Sequence, residues 1–360
     1  MPRALKVGTV IRGRYRVDKV LGEGGFGVTY KVWDSKENKI AALKEYYPLS
    51  IASRAPGGTH LVPAPGNEDS YERFRQDFIN EAQTIYSFQN HPNIVSVYHL
   101  FGQYNNTAYY AMEYIDGSDL RHFLDRRGGR VSWEEFRPIL AQVVTALQAV
   151  HNQNVIHCDI SADNITITNN GQVKLIDFGA AKRSMHNQGS VVLLRRGYAP
   201  LEQMSINGHI GPWTDVYAMC ATVYYCLTGQ IPPEATTRMM GEAEFSWQNV
   251  PGLTQRQRYA LERGMAVLPR DRYASMEELL DGLFGTAPIA QTTPQPAPAQ
   301  TPAYRAPQTP VPEKKKKSGK GLVIGLAALL AVLVLGIGGF FIASMLQGAL
   351  RGGTEAPAIE

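Results

Sequence analysis

The stretch that decides the fold is residues 155–179, VIHCDISADNITITNNGQVKLIDFG. Two short apolar runs, 165–168 and 172–176, flank Asn170-Gly171. That dipeptide favours a two-residue type I′ turn, so the pattern predicts an antiparallel hairpin. A turn centred there sets Asn164 on the entering strand opposite Asp177 on the leaving one, roughly 4.5–5.5 Å apart at Cβ. Two oxygen ligands then share one mouth, a set that suits Mg²⁺ when phosphates and water complete its octahedron. Asp159, on the loop just before, adds a carboxylate aimed at the same place. The plainer alternative is an ordinary hairpin with capping Asn and Asp residues, but DxxxxN and DFG at this spacing are far more specific together than either is singly.

His157-Cys158-Asp159, Asn164 five residues after Asp159, and then Asp177-Phe178-Gly179 resemble the catalytic and metal-binding loops of the protein kinase superfamily. The resemblance covers residues 15–284 and implies an α+β, two-lobed fold with a small β-rich N-lobe and a larger helical C-lobe. It also implies that Asp159 accepts or orients the substrate hydroxyl proton, while Asn164 and Asp177 hold Mg²⁺, or Mn²⁺, beside ATP.

Upstream, residues 21–28 read LGEGGFGV, with glycines at Gly22, Gly24 and Gly27. A dinucleotide fingerprint would open a helix here. The chain instead continues VTYKVW, whose alternation and β-branched and aromatic content predict a strand. Strand, glycine-rich loop, strand lets backbone amides approach phosphates closely. By the resemblance Leu21 and Val28 flank the nucleotide. The next strand, 40–45, puts Ile40, Ala42 and Lys44 on one face. Ala42 and Lys44 match the AxK motif, which implies that Lys44 binds the α and β phosphates.

Residues 74, 78, 81 and 85 fall on one helical stripe, yet Glu81 interrupts three apolar residues there. A carboxylate in an apolar seam needs a partner, and Lys44 is the obvious cation. The long Pro- and Gly-containing insertion at 46–69 reads as functional or disordered. Residues 108–120 read as a strand and connector. The resemblance makes Met112 the gatekeeper, sets the backbone of Glu113 and Ile115 against adenine, and puts Asp119 near the ribose. Residues 131–151 form an amphipathic helix with a Ser132/Glu135 capping box. Residues 214–227 are apolar nearly all round and predict a buried central helix, with Asp215 capping its start and, as the resemblance implies, also fastening the catalytic-loop backbone, two roles that can hold together. Residues 197–203, GYAPLEQ, resemble the end of a kinase activation segment, which implies that Arg272 clamps Glu202.

The whole net charge of +4 belongs to the tail: residues 1–284 carry 29 basic and 29 acidic side chains. A nucleic-acid-binding face gets no support from that balance. Three cysteines without a CxxC or disulfide framework fit a reducing cytosol. Residues 285–320 are Pro-rich, then Lys-rich, and predict a semi-extended juxtamembrane tether. Residues 321–346 hold no charge over 26 positions and predict a transmembrane helix. Lys314–Lys317 and Lys320 on its amino side predict a cytoplasmic kinase domain, a grip on anionic lipid, and a short extracytoplasmic tail at 347–360. Gly321 and Gly325 form a GxxxG that hints at a homodimer.

Three positions depart from the family pattern. Cys158 replaces the usual arginine, so a phosphorylated activation loop lacks its pairing cation. Ser161 stands where Ser/Thr kinases carry a lysine that steadies the transferred phosphate, and residues 194–196 lack a threonine. The sequence therefore predicts a membrane-anchored Ser/Thr protein kinase that uses ATP and Mg²⁺ on protein substrates in signalling. Its alternatives are a pseudokinase-type nucleotide-binding scaffold and a small-molecule kinase.

Overall fold

The computed structural model describes residues 4–55, 57–178, 182–183, 195–205 and 207–285. The expected tether, transmembrane helix and tail lie outside the described residues, and so does most of the presumed activation segment. Among the described residues no helix is long and apolar enough to cross a membrane.

Four strands open the chain: β1 (Val10–Ile11), β2 (Tyr15–Glu23), β3 (Gly27–Asp34) and β4 (Lys39–Tyr46). After β5 (Ala52–Arg54), β6 (Leu61–Pro63) and helix α1 (Glu68–Tyr86) come β7 (Val97–Tyr104) and β8 (Thr107–Glu113). The N-lobe sheet runs β1-β2-β3-β4-β8-β7, every neighbour antiparallel. Along β3 buried and half-buried residues alternate without a break, as a strand with one face on a core requires. The α1 helix lays Phe78, Ala82 and Ile85 against that sheet.

The C-lobe follows with β9 (Gly117–Asp119), α2 (Leu120–Asp125), α3 (Trp133–His151), β10 (Val155–Ile156), β11 (Ile165–Thr168), β12 (Val173–Leu175) and β13 (Lys182–Arg183). Helices α4 (Leu201–Met204), α5 (Pro212–Thr228), α6 (Ala235–Met239), α7 (Gln255–Gly264) and α8 (Met276–Phe284) complete it. Ser132 and Glu135 form the expected capping box on α3. Helix α5 is buried without a break from Thr214 to Val223 and packs against α3, α7 and α8, as its all-round apolar sequence requires.

Two expectations need correction. The hairpin pairs Ile165 with Leu175 and Ile167 with Val173, and the Thr168 N–H bonds the Gln172 carbonyl. Its loop therefore holds three residues with only Gly171 left-handed, at φ 82°; a type I′ turn would also need positive φ at Asn170. Asn164 thus lies opposite Ile176, whose N–H donates to its carbonyl at 3.0 Å, and Asp177 falls one residue beyond the pair.

The described part of the insertion is a paired hairpin and not an unstructured loop: β5 and β6 pair, and α1 starts at Glu68, six residues before the apolar stripe suggested. The β5–β6 hairpin is bound to the rest of the lobe, with the Leu61 N–H donating to the Asn105 carbonyl and Asn106 Nδ2 to the Leu61 carbonyl. Arg54 of β5 pairs with Glu45 of β4, which also accepts the Tyr30 and Tyr109 hydroxyls at 2.7 Å each. The Arg54 and Glu45 side chains are 3% and 0% exposed, so removing one partner strands a buried charge. Arg54→Ala is expected to lower the unfolding free energy in urea by about 3–5 kcal/mol, and Arg54→Met with Glu45→Gln to recover most of it.

Candidate active site

Lys44 reaches the cleft from β4, where it pairs with Thr29 across the sheet. Its Nζ lies 2.8 Å from Glu81 Oε1 on α1 and 3.3 Å from Asp177 Oδ1, and Glu81 Oε1 also accepts the Tyr110 hydroxyl at 2.8 Å. The pair expected from the apolar seam is therefore formed. Burial alone would depress the Lys44 ammonium, but the Asp177 and Glu81 carboxylates outweigh it and hold the group well above its ordinary value. At Glu81 burial pushes the carboxyl up, with Lys44 pulling it back.

Asp177 has φ 60°, and the ring of Phe178 after it is 1% exposed. That ring sits 4.6 Å from the His157 ring and 6.0 Å from Phe88, just beyond α1. The same peptide thus carries Asp177 to Lys44 and anchors Phe178 between the catalytic loop and α1.

Asp159 is held from one side by Asn164, whose Nδ2 donates at 2.8 Å to both its carbonyl and Oδ2. With its amide so committed, Asn164 presents its carbonyl oxygen elsewhere, and together with the Asp177 carboxylate it gives two hard oxygen donors. Mg²⁺ takes one or two such donors and leaves the rest of its octahedron to phosphates and water, so these residues fit it. Among the described residues there is no cluster of three or more His, Cys, Asp or Glu side chains for a metal.

The catalytic-loop backbone is fastened by Asp215, which accepts the His157 and Cys158 N–H groups and His151 Nε2, each at 2.8 Å. Asp215 lies one turn inside α5, so it does not cap the helix; Gly211 is the N-cap. Burial raises and the His151 hydrogen bond lowers its carboxyl, which ends below the ordinary range. Gln203 Nε2 holds the Cys158 carbonyl at 2.8 Å, and Cys158 takes φ 64°. Arg272 donates to Glu202 at 2.6 and 3.1 Å with both side chains buried, as the family pattern implies.

The glycine-rich hairpin closes with the Gly24 N–H on the Gly27 carbonyl at 2.9 Å. A Cβ on Gly27 would lie 2.5 Å from the Glu45 carbonyl, so only glycine fits there, whereas Gly22 has open space. The loop tip is tied down by the Tyr47 and Leu49 N–H groups on the Phe26 and Gly25 carbonyls, which the sequence did not announce. Val28 and Ala42 are buried and Leu21 is exposed. Glu113 donates its N–H to the Ser96 carbonyl and its carboxylate accepts from Lys174 Nζ at 2.9 Å, and Ile115 packs on the core. Asp119 is the N-cap of α2 and bonds the His122 ring at 2.7 Å.

A β-sheet lobe whose lysine meets acidic side chains from a helix and from a second, helical lobe defines a kinase-like architecture. Residues 15–284 match the protein kinase domain family, to which the chain belongs. Serine/threonine-protein kinase F of Synechocystis sp. is 30% identical over 336 residues, 84% of this chain and 64% of that protein. Serine/threonine-protein kinase PknA of Nostoc sp. is 29% identical over 79% of this chain and 50% of its own. The chain thus spans about half to just under two-thirds of the length of these curated relatives. The solved structure "PpkA-294 apo form" superposes with a TM-score of 0.70 at 26% identity, over 79% of this chain and 100% of its own. The crystal structure of the Mycobacterium tuberculosis PknI kinase domain shares the fold with a TM-score of 0.57 at 24% identity, over 78% of this chain and 98% of its own.

His157 gives the site a pH dependence. Its Nδ1 accepts the Asp159 N–H at 3.3 Å, and burial depresses its pKa below 6.5. The unfolded chain then binds more protons between the folded value and 6.5, so stability is complete above that window and falls as pH drops through it. Melting midpoints are expected to fall from about pH 7 to about pH 5, and His157→Phe to flatten the fall; His91 and His99, also depressed by burial, contribute in the same direction.

Proposed function

We propose that this chain is an ATP- and Mg²⁺-dependent serine/threonine protein kinase, anchored to the cell membrane by residues 321–346 with the kinase domain cytoplasmic. The observation that carries the catalytic part is the Glu81–Lys44–Asp177 contact across the cleft, with Asn164 and Asp159 on the adjoining loop. Lys44 holds the α and β phosphates, and its pairing with Glu81 fixes the ammonium there before nucleotide arrives. Asn164 and Asp177 would hold the metal, which when bound would supply charge neutralisation at the phosphates. Asp159 accepts a hydrogen bond from the substrate hydroxyl and takes its proton as the γ-phosphoryl group leaves ATP. The glycine-rich loop covers the phosphates, and the hinge backbone at Glu113 and Ile115 receives adenine.

The names of the Synechocystis and Nostoc relatives support the serine/threonine assignment. The uncharged run at 321–346 and the lysines before it support the anchor and its orientation. A scaffold without turnover has Ser161 and Cys158 in its favour, but Lys44, Asp159 and Asp177 are all retained.

Transfer of labelled γ-phosphate to a generic protein substrate is expected from the wild-type chain. Lys44→Met, Asp159→Asn and Asp177→Asn should each reduce it by about 10²–10⁴-fold. Equal rates in all four proteins would refute the reading, and nucleotide binding without any transfer would favour the scaffold. In cell fractions the full chain should sediment with membranes and resist alkaline extraction, while a chain ending at Lys320 should be released; release of both would sink the anchor.

A further inference from the structure

Two residues past Asp159 on the catalytic loop, Ser161 is fully buried and its hydroxyl has no hydrogen-bond partner among the described residues. The loop therefore brings no cation of its own to that carboxylate. A cation arrives from elsewhere. Arg195 Nε lies 3.1 Å from Asp159 Oδ1 and its Nη2 3.4 Å from Oδ2, while Nη1 bonds the Asp163 carboxylate. Asp163 is also gripped by Arg121, at 2.5 and 3.2 Å, so the far end of the fork is fixed.

The backbone fixes the near end. The Arg195 carbonyl accepts the Tyr198 and Ala199 N–H groups at 3.1 and 3.0 Å. Gly197 turns the chain at φ 78°, and a Cβ there would lie 2.5 Å from the Pro232 carbonyl oxygen. Asp159 is thereby clamped between the Asn164 amide on one side and a guanidinium fork on the other.

We propose that Arg195 is the positioning residue of this site, reaching in from the activation segment to orient the Asp159 carboxylate in place of the lysine that Ser161 replaces. The inference rests on the phosphotransfer reading above. It links two features of the sequence, because the carboxylate to which Ser161 brings no cation is the one that Arg195 reaches. The consequence is that the orientation of the base is tied to the placement of the 195–199 turn.

The test measures kcat, KM and MgATP affinity on the full-length chain. Arg195→Ala is expected to lower kcat about tenfold to hundredfold, while MgATP affinity changes by less than about twofold, because the fork acts on the base and not on the nucleotide. Adding Ser161→Lys to that variant is expected to restore most of the lost kcat. A purely structural role predicts no such rescue. The proposal is overturned if Arg195→Ala turns over as fast as wild type or faster, or if the double variant is no faster than the single one. Should the double variant not fold, Arg195→Lys is expected to be several-fold faster than Arg195→Gln, and equal rates overturn the proposal. A wild-type chain that transfers no phosphate would overturn the proposed function along with this inference, whereas an active wild type unaffected by Arg195→Ala overturns this inference alone.

Discussion

One partly buried ammonium sets the geometry on which the rest of the structure depends. The Lys44 side chain is 18% exposed, so little water reaches its charge and leaving it unpaired there is costly. The offset comes from three chain segments at once: Glu81 and Phe178's neighbour Asp177 supply carboxylates at 2.8 and 3.3 Å, and Tyr110 steadies Glu81. If α1 moved away from the sheet, Lys44 would lose Glu81. If the segment after β12 swung out, it would lose Asp177. The packing of Phe178 against His157 and Phe88 makes those two movements interdependent, since the ring lies against the loop that carries Asp159 and against the segment just after α1 together.

The helical lobe repeats this logic with different residues. Asp215 sits in an otherwise apolar helix and is satisfied by two catalytic-loop N–H groups and His151. Glu202 is satisfied by Arg272 and the Thr214 hydroxyl. Each buried ion is costly alone and tolerable with its donors in place, so each specifies one relative position of two segments. In this way the backbone carrying Asp159, including left-handed Cys158, is held by side chains from outside its own loop.

Much of this was readable from local pattern. The alternation in β3, the Ser132/Glu135 box and the all-apolar α5 are each dictated within a few residues, because burial and capping act at short range. Glu81 betrayed its partner because a carboxylate amid apolar neighbours has few other ways to exist. Other features were not readable in that way. An Asn-Gly pair serves two-residue and three-residue hairpin loops alike, and one residue of register shifted Asp177 off its expected partner. The insertion between β4 and α1 holds strands of only three residues, too short to show alternation, and it is held by Glu45 on the preceding strand and by Asn105 and Asn106, more than forty positions on.

The sequence by itself determined the side chains on offer, namely a lysine, the carboxylates Glu81, Asp159 and Asp177 and the amide of Asn164, and the order in which a kinase-like chain presents them. Only the tertiary structure decided which long, polar side chain answers which charge. Arg195, Gln203 and Arg54 look like ordinary surface residues in the sequence, because nothing within a helical turn or a strand of them names a partner. Their roles arise from contacts across 9 to 45 positions of chain, between groups whose only physical link is that folding brought opposite charges, or a donor and a carbonyl, within 3.5 Å of each other.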